Sequence, residues 1–140
     1  MKTLITLLLF SFFTLFSNAQ DQDLGVKITV TIDNIANNDG NVLLALHTSQ
    51  TFMKGQGIQN LSSKIKDGKI KVTFTNVPEG TYAIMALHDA NENNRMDFEA
   101  NGMPKESYGI SNNDMSFGPP QFESAKFEVK NTDMSFSIRF

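Results

Sequence analysis

The chain has 140 residues, 12 basic against 15 acidic side chains, and no cysteine. That length fits one domain with a modest core, and the missing cysteine excludes a disulfide framework, a thiolate metal site and a cysteine nucleophile. The slight net negative charge of −3, with no basic stripe, excludes a phosphate-binding surface for nucleic acid.

Residues 1–19 read as a secretory signal peptide: Met1 and Lys2, an apolar run from Leu4 to Phe16, then Ser17-Asn18-Ala19 ahead of a cut before Gln20. The run is too short to span a membrane, and no cysteine follows Ala19 to carry a lipid. The expected mature chain, residues 20–140, is one domain in the periplasm or medium with no membrane span after cleavage. Removing Lys2 leaves 11 basic against 15 acidic residues, a net charge of −4.

From Val26 the apolar residues alternate through Ile28, Val30 and Ile32, the pattern of a half-buried strand. Asn37-Asn38-Asp39-Gly40 is a turn signal, so a hairpin is expected into a second strand from Asn41 to His47. That strand is apolar at consecutive positions, Val42 to Leu46, which predicts a central place covered on both faces. Residues 48–67 read as a crossover loop with one helical turn near Phe52. Alternation returns at Lys69 to Thr75, Pro78-Glu79-Gly80 makes a turn, and Tyr82 to His88 forms another strand apolar on both faces. A long aperiodic stretch from Asp89 to about Ser124 follows; its Phe98, Met103, Tyr108, Ile110, Phe117 and Phe122 mark a packed loop rather than a disordered one. Two alternating strands, Lys126–Lys130 and Met134–Phe140, close the chain as a final hairpin. The whole predicts an all-β, antiparallel sandwich, immunoglobulin-like or transthyretin-like, of six to seven strands with one long loop. An outer-membrane barrel is the rival, but its strands need about 9 to 11 residues and a lipid-facing band.

Side-chain oxygens recur at alternate positions in Asp89, Asn91 and Asn93, then at Asp97. A loop wound round one hard cation needs that spacing, with the Arg95 backbone carbonyl as a further donor, so these five residues form a candidate Ca²⁺ site. Asn94 stands where glycine is usual and Ala100 where a bidentate carboxylate is usual. The missing carboxylate must come from Asp97, Glu99, Glu106, Asp114 or water. Few carboxylates imply weak binding, in the roughly 10⁻⁴ to 10⁻³ M range of extracellular modules.

His47 and His88 each close an apolar strand, and with Asp89 they would form a small hydrolase or metal-dependent centre if they converged. No serine sits in a nucleophile elbow, and hydrogen-bonded strand-end histidines are the simpler reading. Tyr108 and Phe117 offer an alternative adhesion or polysaccharide-binding platform, and Gly118-Pro119-Pro120 a rigid brace. The expectation is a non-enzymatic binding or structural module with an unidentified protein or glycan partner.

Five runs in order carry a resemblance. They are Pro78-Glu79-Gly80-Thr81-Tyr82-Ala83, His88 to Asn93 closing at Asp97, Gly102-Met103-Pro104, Tyr108 to Asn113, and Gly118-Pro119-Pro120 before Phe122. With them residues 76–129 resemble the bacterial secreted family known as Domain of Unknown Function 2141. The resemblance implies an exported β-sandwich with no established activity.

Overall fold

A computed structural model describes residues 25–114 and 116–140, so the expected signal peptide lies outside the described residues. Eight strands form two facing sheets: β1 (Val26–Ile32), β2 (Asn41–His47), β3 (Gln59–Lys64), β4 (Ile70–Val77), β5 (Gly80–Asp89), β6 (Tyr108–Ile110), β7 (Phe127–Val129) and β8 (Met134–Ser137). The smaller sheet runs β4-β1-β8; the larger runs β3-β2-β5-β6, with β7 on the first residues of β5. A 3-10 turn at Ser111–Asn113 and one short helix, α1 (Phe122–Ala125), are the helical elements among the described residues.

The sandwich arises because each inner face is apolar at every second position. Val26, Ile28, Val30 and Ile32 of β1 meet Val42, Leu44 and Leu46 of β2 and Ile84 of β5 in one buried cluster, and Phe74 of β4 is fully enclosed there. Burying side chains of this size stabilises by about 1.5–3 kcal/mol each; Phe74→Ala should cost about 3–5 kcal/mol.

Strand pairing differs from expectation in three respects. β1 and β2 do not form a hairpin: β1 pairs with β4 and β8, and β2 with β3 and β5, so residues 33–40 arch from one sheet to the other. The final two strands are not a hairpin either, since β7 joins β5 while β8 crosses to β1 and runs parallel to it. The sheet is therefore not wholly antiparallel. An arch buries both inner faces against each other, which a hairpin within one sheet would not do.

Eight strands replace the expected six to seven because β3 and β6 carry weak signals. Leu61 is the one large apolar residue of Gln59–Lys64, and β6 has three residues. The helical turn near Phe52 is present, with the Phe52 amide donating to the Thr48 carbonyl at 3.0 Å.

The outer face of the larger sheet is covered in part. At one end Phe52, Ala83, Ile110 and Ala125 form a second buried cluster with Met85 and Phe122 packed against it. At the other, Leu43, Ala45 and Leu87 are half-buried, so β2 is central but not covered along its whole outer face.

Candidate functional site

β5 is the longest strand, and its last residue, Asp89, carries the candidate site onto a rigid frame. Asp89 pairs in register with Asn41 of β2 and is fully buried. Its carboxylate stays there because the loop wraps around it: Oδ1 accepts the Asn93 amide at 3.1 Å and Oδ2 the Asn94 amide at 2.8 Å. Asn91 and Asn93 each accept the amide two residues on, from Asn93 at 3.2 Å and Arg95 at 3.0 Å. Short polar side chains bond neighbouring backbone in this way at tight turns. Glu92 and Asn94 take left-handed φ angles of 59° and 61°; asparagine tolerates this conformation well, so Asn94 serves where glycine is usual.

The side-chain nitrogens of Asn91 and Asn93 both donate to Oδ2 of Asp97, at 2.7 and 2.8 Å. Three of the expected ligands therefore meet at one carboxylate oxygen. The Asp97 carboxyl is held below its ordinary value, first by the Asn91 hydrogen bond and next by that of Asn93, with the charges of Arg95 and Lys105 adding to the effect and desolvation opposing it. Arg95 approaches the other oxygen, Nε to Oδ1, at 3.7 Å.

Of the candidates for the missing carboxylate, Glu106 is the distant one that the fold brings back to the loop. Its Oε1 accepts the Ala90 amide at 3.3 Å and its Oε2 the Asp97 amide at 3.2 Å, bracketing the loop at both ends. The return is made by residues 98–107, where Phe98 bridges Pro104 and the His88 amide donates to the Ser107 carbonyl at 2.9 Å. Among the described residues the Glu99 and Asp114 side chains make no hydrogen bond to this loop; Asp114 instead accepts from the Ser116 amide and hydroxyl. Glu92 points outward, held below its ordinary value by Lys64.

Among the described residues, no three or more His, Cys, Asp or Glu side chains gather closely enough to hold a metal by themselves. Any cation here would need the asparagine oxygens, each of which keeps a second lone pair beyond the backbone bond it already accepts.

The two histidines do not converge. In the β2–β5 register His47 lies opposite Ala83 and His88 opposite Val42, five positions apart, or roughly 17 Å along the strands. Alternation also puts them on opposite faces of the sheet. His47 faces outward, edge-on to Phe52, with Nδ1 3.2 Å from the Thr51 hydroxyl; burial lowers its pKa. His88 faces inward, stacked on Phe140, and donates through Nε2 to the Asp39 carbonyl at 2.8 Å. The expected His47–His88–Asp89 centre is thus not assembled.

The aromatic platform is likewise divided. Phe117 is fully exposed, whereas Tyr108 is half-buried on β6 and Phe122 packs edge-on to Phe52. No helix among the described residues is long and apolar enough to cross a membrane.

Comparison with known proteins adds a family. The model of a family described as an uncharacterized protein conserved in bacteria (DUF2141) matches residues 30–137. No curated protein matches the chain. Among solved structures a pilus-presented adhesin is similar, at 13% identity with a TM-score of 0.29; the match covers 84% of this chain and 26% of the adhesin, so this chain spans about a quarter of that protein's length.

Proposed function

The chain belongs to the bacterial DUF2141 family, and within it we propose an exported, non-enzymatic β-sandwich module, binding or structural in role, whose long loop is ordered by Ca²⁺. Export places it in the periplasm or outside the cell. The ligands are Asp89, Asn91, Asn93, the Arg95 carbonyl and Asp97, with Glu106 as the added carboxylate. One observation carries the reading: Asn91 and Asn93 converge with Asp97 on a single oxygen, and Asn93 links that oxygen to the buried Asp89 through its own backbone amide. In that arrangement two amide N–H groups supply the positive partner of Asp97, and a hard cation bound by oxygens supplies the same charge more strongly. No disulfide restrains this stretch, so an ion has a structural task to perform.

Melting curves with added Ca²⁺ and with EDTA test it. Ca²⁺ at tenfold excess over its dissociation constant adds about 1.4 kcal/mol to a folded state that alone binds it, a rise of several degrees in Tm. An unchanged midpoint at 10 mM Ca²⁺ removes the metal reading. The hydrogen bonds of Asp89, Asn91, Asn93, Asp97 and Glu106 then hold the loop without an ion.

A further inference from the structure

The outer face of the larger sheet holds a groove that the Ca²⁺ reading does not use. Its floor follows from register. Leu43 lies opposite Leu87, and Leu87 opposite Tyr108; beside that row, Ala45 lies opposite Met85. The first row extends to Ser62 of β3, crossing three interstrand steps, or roughly 14 Å. Two loops raise the walls: Gly55–Gln56 on one side, where a Cβ on the neighbouring Gly57 would come 3.1 Å from Ala45 Cβ, and Asn94-Arg95-Met96 on the other. The groove is open to solvent, with a volume of about 650 Å³.

Its chemistry is distinct from the rest of the surface. Of the residues lining it none is acidic, although acidic side chains outnumber basic ones in the chain. Arg95 is its one charged group, with a side chain 76% exposed and a single 3.7 Å ion pair, a contact worth little in water. The floor is aliphatic, with Met85 and Met96 as adaptable surfaces and the Tyr108 ring at one end.

We propose that this groove binds a long-chain fatty carboxylate, the acyl chain lying along Leu43, Leu87 and Met85 and the headgroup meeting Arg95. Size selects a small ligand over a folded partner: ligand sites occupy roughly 300–1,000 Å³, whereas a stable protein interface needs about 20–30 residues a side. Charge selects an anion, because Arg95 is the one charged residue among those lining the groove, and its 3.7 Å pair with Asp97 outside the lining is too exposed to neutralise it. The aliphatic floor selects an acyl chain over a sugar, which needs exposed rings and many polar contacts.

Calorimetry and amide-shift mapping with dodecanoate, decanol and dodecyltrimethylammonium, all below their micellar concentrations, test the proposal. Dodecanoate should bind and shift the amides of Leu43, Ala45, Leu87 and Tyr108. Decanol should bind more weakly and the trimethylammonium compound not measurably. Arg95→Gln should weaken dodecanoate about tenfold and leave decanol unchanged. Leu87→Gln should weaken both, with Leu43→Gln as its counterpart should the first variant lose its melting transition. Absence of dodecanoate binding, equal binding of the cationic amphiphile, an Arg95→Gln variant of unchanged affinity, or response only to an acidic apolar peptide would each overturn it. Every titration is run with Ca²⁺ and with EDTA. Dodecanoate binding without Ca²⁺, or a Ca²⁺ shift without dodecanoate binding, separates the fate of this inference from that of the metal reading.

Discussion

Two long excursions leave the larger sheet, and they are held by opposite means. Residues 89–107 close on themselves: the bonds of Asp89, Asn91 and Asn93 reach at most six residues along the chain, and Glu106 seals both ends. Their apolar members stay outside, with Phe98 and Met103 58% and 60% exposed. Residues 111–126 are tied to the frame instead. Buried Ser111 accepts the Ile84 amide at 3.0 Å and donates to the Ala125 carbonyl, Phe122 packs on Phe52, and Asn113 bonds Ser137 and Arg139 near the C-terminus. A loop that lacks an apolar anchor must be held by polar groups, which favour an enclosed carboxylate with nearby amides. The first excursion is accordingly the one in which a cation would matter.

Asp89→Ala should break the contrast most severely. It strips the Asn94 amide of its acceptor and leaves the Asn93 amide the Asn91 oxygen alone, so chemical denaturation should report a loss of roughly 2–4 kcal/mol and hydrogen exchange should rise across residues 90–97 while residues 111–126 stay protected. Should exchange rise equally in both excursions, they are not independent units. Ser111→Ala inverts the experiment. About 2 kcal/mol is lost, with faster exchange at Ile84 and through α1 and no change near Asn93.

Acid titration sharpens the comparison further. The folded-state pKa of Asp97 is depressed below its ordinary 3.8, chiefly by the Asn91 hydrogen bond. Between the two values the unfolded chain binds more protons. The contribution is therefore fully present above about pH 3.8 and is lost as pH falls through the folded value. Melting midpoints of an Asp97→Asn variant, followed from pH 6 down to pH 2.5, should fall less steeply than those of the parent; parallel curves would mean that Asp97 is not poised as described. His47 works over a higher window: its pKa is lowered from 6.5 by burial, so its contribution is present above about 6.5 and declines as pH drops toward the folded value. His47→Gln should flatten that limb. Smallest of all is Lys64→Ala. The Lys64–Glu92 pair, at 2.6 Å, is exposed on both sides, and its removal should leave the melting midpoint unchanged within error.

The sequence by itself determined six strands, β1, β2, β4, β5, β7 and β8, since their apolar periods are set by residues adjacent in the chain. It also located the alternating oxygens of Asp89 to Asp97 and the helical turn at Phe52. β3 and β6 escaped because one is polar with a single leucine and the other has three residues. Apolar runs on both faces of β2 and β5 predicted complete cover, yet the same pattern suits an open groove over Leu43 and Leu87. Composition does not distinguish a covered apolar face from an exposed one. Strand partners, the separation of His47 from His88 and the return of Glu106 were decided only by the tertiary structure. Pairing depends on which inner faces can be buried against each other, a condition set by residues distant in sequence, and a shift of one position would send every side chain to the opposite face.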